Sequence, residues 1–118
     1  MLVMQLATCN FSSDNQCIFQ NNDIFTQVFV QDKYSDSLES YFNAWKISQK
    51  NLGNLSNIKV LGEEAKQIVE FFDDRYKIIT LTKHQDKVYE IDLLGNKNNA
   101  DSISKLSNQI LSTFQFLN

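Results

Sequence analysis

Residues 75–94 read RYKIITLTKHQDKVYEIDLL, and this stretch decides the fold. Two runs rich in β-branched, aromatic and other apolar residues, 75–82 and 87–94, flank the short polar segment KHQD. Such residues are typical of strands, and two strand-like runs joined by a short polar turn predict a β-hairpin. The core of the protein is therefore expected to contain an antiparallel sheet.

The chain ends in a segment of helical periodicity that follows a polar loop. Residues 95–101, GNKNNAD, are turn-forming, and either Asp101 or Ser102 is expected to cap the helix that follows. Apolar residues then recur every three or four positions, which is typical of an amphipathic helix. These residues are Ile103, Leu106, Ile110, Phe114 and Leu117. The apolar chain end is predicted to be the buried face of a helix over about residues 101–114, with Phe114 in the core.

Strand patterns also lie upstream of the hairpin. Residues 2–9, 17–19 and 24–30 are rich in β-favouring side chains, and turn-forming segments separate them. Ile58 and Val60 alternate with polar residues as in a strand. On residue content alone, the segment 65–72 fits either a strand or a helix.

One further segment has the helical period. Its apolar face consists of Leu38, Tyr41, Phe42 and Trp45. Asp36 with Glu39 resembles a capping box, while Ser35 or Ser37 can serve as the cap instead. Gly53 fits the C-terminal cap. The chain is therefore predicted to be α+β, an antiparallel β-sheet flanked by helices.

The composition of the chain limits the classes of function that fit it. The 118 residues form one domain, with 42% hydrophobic and 21% charged residues. The net charge is −3 and the eleven basic residues are scattered, which argues against a nucleic-acid partner. No apolar run approaches the roughly 20 residues of a spanning helix, so direct membrane insertion is not expected.

Cys9 and Cys17 are the first candidate pair for chemistry. The residues between them, NFSSDNQ, form turns, so a hairpin can bring the two side chains within disulfide range. A structural disulfide and a pair of free buried thiols both stay open. A metal site needs more ligands than two cysteines and the distant His84 supply. No metal or cofactor is expected.

The remaining polar candidates predict no catalytic site. His84 lies in the predicted hairpin turn, where we expect it to be solvated, and a catalytic histidine needs an orienting carboxylate or a nucleophile beside it. The pairs Glu63 with Glu64 and Asp73 with Asp74 are expected to face water. The chain is not expected to be an enzyme.

A family resemblance rests on two motifs. Lys87, Tyr89 and Ile91 form the pattern K-x-Y-x-I, and residues 110–116 read ILSTFQF. PsbP-like domains, which include bacterial secreted proteins of unknown function, have such a strand followed by a helix that ends in this way. The chain resembles them. The resemblance implies an α/β/α sandwich in which the segment 65–72 is a strand.

The resemblance also carries expectations about organisation and function. This proline-free chain lacks the family's opening motifs, so residues 1–118 are expected to be a single PsbP-like domain without the usual N-terminal segment. Such domains act mostly as non-catalytic binding or accessory domains, which implies an extracytoplasmic location within a longer exported bacterial protein. The alternative is a small acidic cytoplasmic protein that binds partners, such as a secretion chaperone. We expect a protein partner to contact the loops at 20–23 and 95–101, or the sheet face that the helices leave open.

Overall fold

The computed structural model describes residues 16–21, 23–49 and 53–114. These residues form one six-stranded sheet and two α-helices. The elements in chain order are β1 (Gln16–Asn21), β2 (Ile24–Gln31), α1 (Leu38–Ile47), β3 (Asn54–Val60), β4 (Glu63–Phe72), β5 (Arg75–His84), β6 (Lys87–Asn96), a 3-10 turn (Lys97–Asn99) and α2 (Ala100–Thr113). No helix in these described ranges is long and apolar enough to cross a membrane.

The strand order is β1-β2-β6-β5-β4-β3, and every neighbouring pair is antiparallel. The predicted hairpin is therefore confirmed as β5 and β6. Its turn is shorter than predicted, because His84 pairs with Lys87 and only Gln85 and Asp86 lie between the strands. The predicted strands at 17–19 and 24–30 are confirmed as β1 and β2, and the strand predicted from Ile58 and Val60 is confirmed as the end of β3, which begins at Asn54. The predicted strand at 2–9 lies outside the described residues.

Each helix packs on its own apolar cluster, and adjacent residues of β5 belong to different clusters. Ile78 belongs to the cluster that contains Ile103 and Ile110 of α2, whereas Ile79 belongs to the cluster that contains Phe42 of α1. Because successive side chains of a strand point to opposite faces, the two clusters lie on opposite faces of the sheet. The apolar helical faces predicted from the periodicity are confirmed for the described residues, and Leu117 lies outside them.

The segment that was ambiguous by content is strand β4. It pairs with β3 on one side and with β5 on the other, as the family resemblance implied. Leu61 and Gly62, both with positive φ, form the turn between β3 and β4. Tertiary pairing on both edges decides the conformation of a segment whose local propensity was divided.

The helix caps differ in part from the predictions. Ser37 caps α1, and its hydroxyl oxygen accepts a hydrogen bond from the Ser40 amide at 3.1 Å. At α2 the prediction of Asp101 or Ser102 is wrong, because the helix already begins at Ala100 after the 3-10 turn. Asn96 caps that turn instead, since its side-chain oxygen accepts from the amide of Asn98 at 2.8 Å.

Gly53 is not the C-terminal cap of α1. The helix ends at Ile47, and Ser48 occupies the cap position. Gly53 directly precedes β3, where a Cβ atom would overlap the backbone carbonyl of Val69 on β4. A glycine is needed here because two backbones approach closely, not because a helix ends.

Candidate functional site

Asp23, from the predicted loop at 20–23, and three asparagines from the predicted loop at 95–101 line one cleft at an end of the sheet. The strand order places the start of β2 and the start of β5 on either side of the end of β6. We call this space the end cleft. It has a volume of about 730 Å³, and its walls are Asp23, Phe25, Asp74, Arg75, Leu94, Asn96, Asn98 and Asn99. The two loops named from the sequence are brought together, with the β4–β5 turn as a third wall.

Backbone and side-chain hydrogen bonds hold two of these walls in place. The amide of Lys97 donates to the carbonyl oxygen of Asp74 at 2.7 Å, which ties the 3-10 turn to the β4–β5 turn. The Asn96 side chain bonds the Asn98 amide within the same turn. The ammonium of Lys97 also lies 5.6 Å from the ring centre of Phe71. The cleft is thus built on a fixed frame rather than on long loops.

The chemistry of the end cleft is that of a polar binding surface with an apolar floor. Phe25 and Leu94 are cross-strand partners on one face of the sheet. Arg75 is exposed and, within the described residues, forms no ion pair. A guanidinium offers five donors in a planar fork that matches a carboxylate. The asparagine amides add further donors and acceptors.

A row of buried carboxyl groups lies on the same sheet face. Asp92, two residues before Leu94 on β6, is only 7% exposed, and Glu70 on β4 is 8% exposed. Within the described residues, Asp92 Oδ1 and Glu70 Oε1 have no hydrogen-bond partner. Glu90 lies two residues before Asp92 on the same strand, so its side chain points to the same face.

Burial raises the pKa of two of these carboxyl groups, those of Asp92 and Glu70. It raises the pKa of Asp92 to about 9, and the neighbouring carboxylate and hydrogen bond of Glu90 act in the same direction. Burial also raises the pKa of Glu70, which the positive charge of Lys77 opposes. Asp92 is therefore protonated at neutral pH. The sequence reasoning missed this group, although the spacing of Glu90 and Asp92 predicts two carboxyl groups on one strand face.

His84 does not lie in a solvated turn as predicted. It is the last residue of β5, and its Nδ1 atom lies 2.7 Å from Oε2 of Glu63 at the start of β4. Both side chains are partly buried. The expectation that Glu63 faces water is therefore wrong, whereas its neighbour Glu64 is exposed. A carboxylate on Nδ1 fixes the orientation of the ring.

The remaining candidates divide between the core and the surface. Phe42 is buried on α1, and Tyr41 and Trp45 pack against its cluster, so these aromatic residues are core residues. Asp73 and Asp74 are exposed, as predicted. Among the described residues, no three histidine, cysteine, aspartate or glutamate side chains are grouped so that they can hold a metal ion.

The structure does not test the predicted disulfide. Cys9 lies outside the described residues, and Cys17 belongs to β1. The disulfide between them stays a prediction.

Comparisons with known proteins show a likeness of fold. The chain matches no protein-family model and no curated protein. It is similar in structure to PA94 of Pseudomonas aeruginosa, a protein of unknown function described as a candidate regulator, with a TM-score of 0.68 and 10% identity over 91% of this chain and 86% of that chain. It is also similar to cyanobacterial PsbP from Synechocystis sp. PCC 6803, with a TM-score of 0.61 and 15% identity over 92% of this chain and 79% of that chain. The chain has a PsbP-like fold.

Proposed function

We propose that this chain is a PsbP-like α/β/α sandwich that serves as a non-catalytic binding or accessory domain of an exported bacterial protein. The observation that carries the proposal is the end cleft. Two loops that are far apart in the sequence meet there, and the exposed Arg75 stands beside them. Their convergence supports a surface for recognition.

The lining of the end cleft supports binding rather than catalysis. Its side chains are two carboxylates, one guanidinium, three amides and two apolar groups. Catalysis of group transfer or hydrolysis requires a nucleophile, or an acid and base, held against the reacting atoms. The described cleft combines hydrogen-bonding groups with an apolar floor, which are the components of a protein interface.

The charge of the end cleft favours a protein partner. Asp23 and Asp74 repel phosphates, which disfavours a nucleic acid. An apolar side chain of the partner fits against Phe25 and Leu94, and a partner carboxylate fits Arg75.

Site-specific photo-cross-linking in the source bacterium tests this proposal. A photoreactive amino acid replaces the exposed Asn98 in the end cleft, and a matched control carries it at the exposed Lys105 on α2. We expect a defined protein adduct from position 98 only, in the extracytoplasmic fraction. Arg75→Ala should remove the adduct, because the guanidinium no longer holds the partner.

Two results would contradict the proposal. Equal adducts from both positions would show that the end cleft is not a specific surface. A purely cytoplasmic adduct together with a dimeric solution mass would favour the secretion chaperone instead.

A further inference from the structure

Strand β3 is an open edge of the sheet. It has seven residues, pairs only with β4, and no described strand lies on its outer side. Residues 54–57 and Lys59 are exposed, and Leu55 keeps 43% of its surface in contact with solvent. Ile58 is half-buried and Val60 is buried, so the exposed part of this edge is its first four residues together with Lys59.

Such an edge presents a row of backbone donors and acceptors to any extended segment that approaches. Natural sheets block their edges with proline, bulges or several charges. β3 reads NLSNIKV, with a single charge at Lys59 and no proline, and its seven residues pair one to one with those of β4, without a bulge. The strand therefore lacks most of the devices that prevent pairing.

Two clefts flank this edge, and Ile58 and Lys59 line both of them. One, of about 380 Å³, lies between β3 and α2 and includes Leu61 and Leu111. The other, of about 510 Å³, lies beside the start of α1 and includes Glu39. Because alternate side chains of an added strand point to opposite faces, a strand on β3 can place side chains towards both clefts.

We propose that the β3 edge binds an extended segment of a partner protein by strand addition. The segment carries apolar side chains towards Leu61 and Leu111 and an acidic side chain opposite Lys59. Lys59 forms no ion pair in the described part of the chain, even with its cross-strand neighbour Glu64. Glu39, in contrast, already binds Lys66 at 2.9 Å.

A second copy of the chain is a poorer match for this edge. Its own β3 would offer Asn54 and Ser56 to the cleft that contains Leu61 and Leu111, together with a second positive charge at Lys59. A partner strand of alternating acidic and apolar residues satisfies both clefts. This inference goes beyond the proposed function, since it concerns other residues than those of the end cleft.

A displayed library of short random peptides, selected on the purified domain, tests the proposal. We expect the selected peptides to alternate acidic and apolar residues and to slow hydrogen exchange of the β3 amides when bound. Lys59→Glu should weaken their binding about fivefold through loss of a partly exposed ion pair and the new repulsion. A peptide with its acidic residues changed to lysine should bind this variant better than the original chain.

Two controls keep the test specific. Lys105→Glu changes another exposed lysine, on α2, and should leave peptide binding unchanged. A selected peptide with N-methyl groups on alternate amides should not bind when the methylated amides face β3, because strand pairing needs those donors. Selection of no peptide, protection confined to residues outside β3, or a dimeric domain whose β3 amides are already protected would overturn the proposal.

Discussion

The ring of Phe114 meets the ring of Tyr89 edge to face, with 5.4 Å between their centroids. Tyr89 is fully buried in β6, and Phe114 is 5% exposed at the end of α2. The contact joins the end of the last helix to the middle of the sheet.

Phe114→Ala should therefore lower the free energy of unfolding by about 3–5 kcal/mol, as expected for an emptied aromatic core site. Urea unfolding of the purified domain measures this change. Gln109→Ala alters an exposed residue of the same helix and should change stability by less than about 0.5 kcal/mol. Equal stability of the two variants would show that the chain end does not contribute to the core.

The buried carboxyl of Asp92 predicts an unusual dependence of stability on pH. Its pKa rises from the ordinary 3.8 to about 9 on folding, mainly through burial. Between these values the folded chain binds more protons than the unfolded chain, so its contribution to stability falls as pH rises through this window. Below 3.8 both states are protonated and the contribution is complete.

Asp92→Asn keeps a neutral side chain of similar shape and should reduce this fall. We expect the variant to be more stable than the original chain by more than about 1 kcal/mol near pH 8. The exposed Glu64→Gln is the matched control and should leave the pH profile unchanged. A variant at Asp92 with the original pH profile would contradict the assignment.

Gly53→Ala should destabilise the domain by about 1–3 kcal/mol, a typical penalty for overpacking, because the new Cβ overlaps the Val69 carbonyl. Gly62→Ala provides a comparison. Nothing lies within 4 Å of a Cβ added at this position, but a residue other than glycine adopts a φ of 85° only with strain. Its expected cost is about 1–2 kcal/mol. Thermal unfolding measures both losses of stability. A crystal structure distinguishes the two causes: β3 should be displaced from β4 in the Gly53→Ala variant, whereas the Gly62→Ala variant should retain its strand pairing.

The pair of His84 and Glu63 should contribute a modest coupling energy. Because both side chains are partly exposed, solvent screens the contact, and a double-mutant cycle with His84→Ala and Glu63→Ala should give about 0.2–1 kcal/mol. All four variants of the cycle are measured by urea unfolding in the same buffer. Strictly additive single variants would show that the contact has no energetic role.

The disulfide of Cys9 and Cys17 is tested by mass. The protein isolated without reductant should be lighter by two protons than the reduced protein, and an alkylating reagent should label neither cysteine. Complete labelling of both cysteines in the folded, unreduced protein would instead support free thiols.

The local sequence was sufficient to predict those elements whose residue pattern lies within one continuous segment. The hairpin of β5 and β6 was predicted because both strands and their turn lie in one continuous stretch, where residue content and turn residues agree. The helical period likewise predicted α2 and the burial of Phe114, since a stripe of apolar residues needs a hydrophobic partner wherever the chain supplies one.

Only the tertiary structure decided how distant segments meet. The conformation of β4 depends on its pairing with β3 and β5. His84 and Glu63 are in contact because β5 lies beside β4. The end cleft exists because β2 lies beside β6, which follows much later in the chain. Phe25 of β2, for example, pairs with Leu94 of β6, 69 residues later. The desolvation of the Asp92 carboxyl group likewise depends on the side chains of other elements that pack around it. Periodicity reports which side of an element is apolar, but contacts between distant elements determine which polar groups lose water and which loops share a surface.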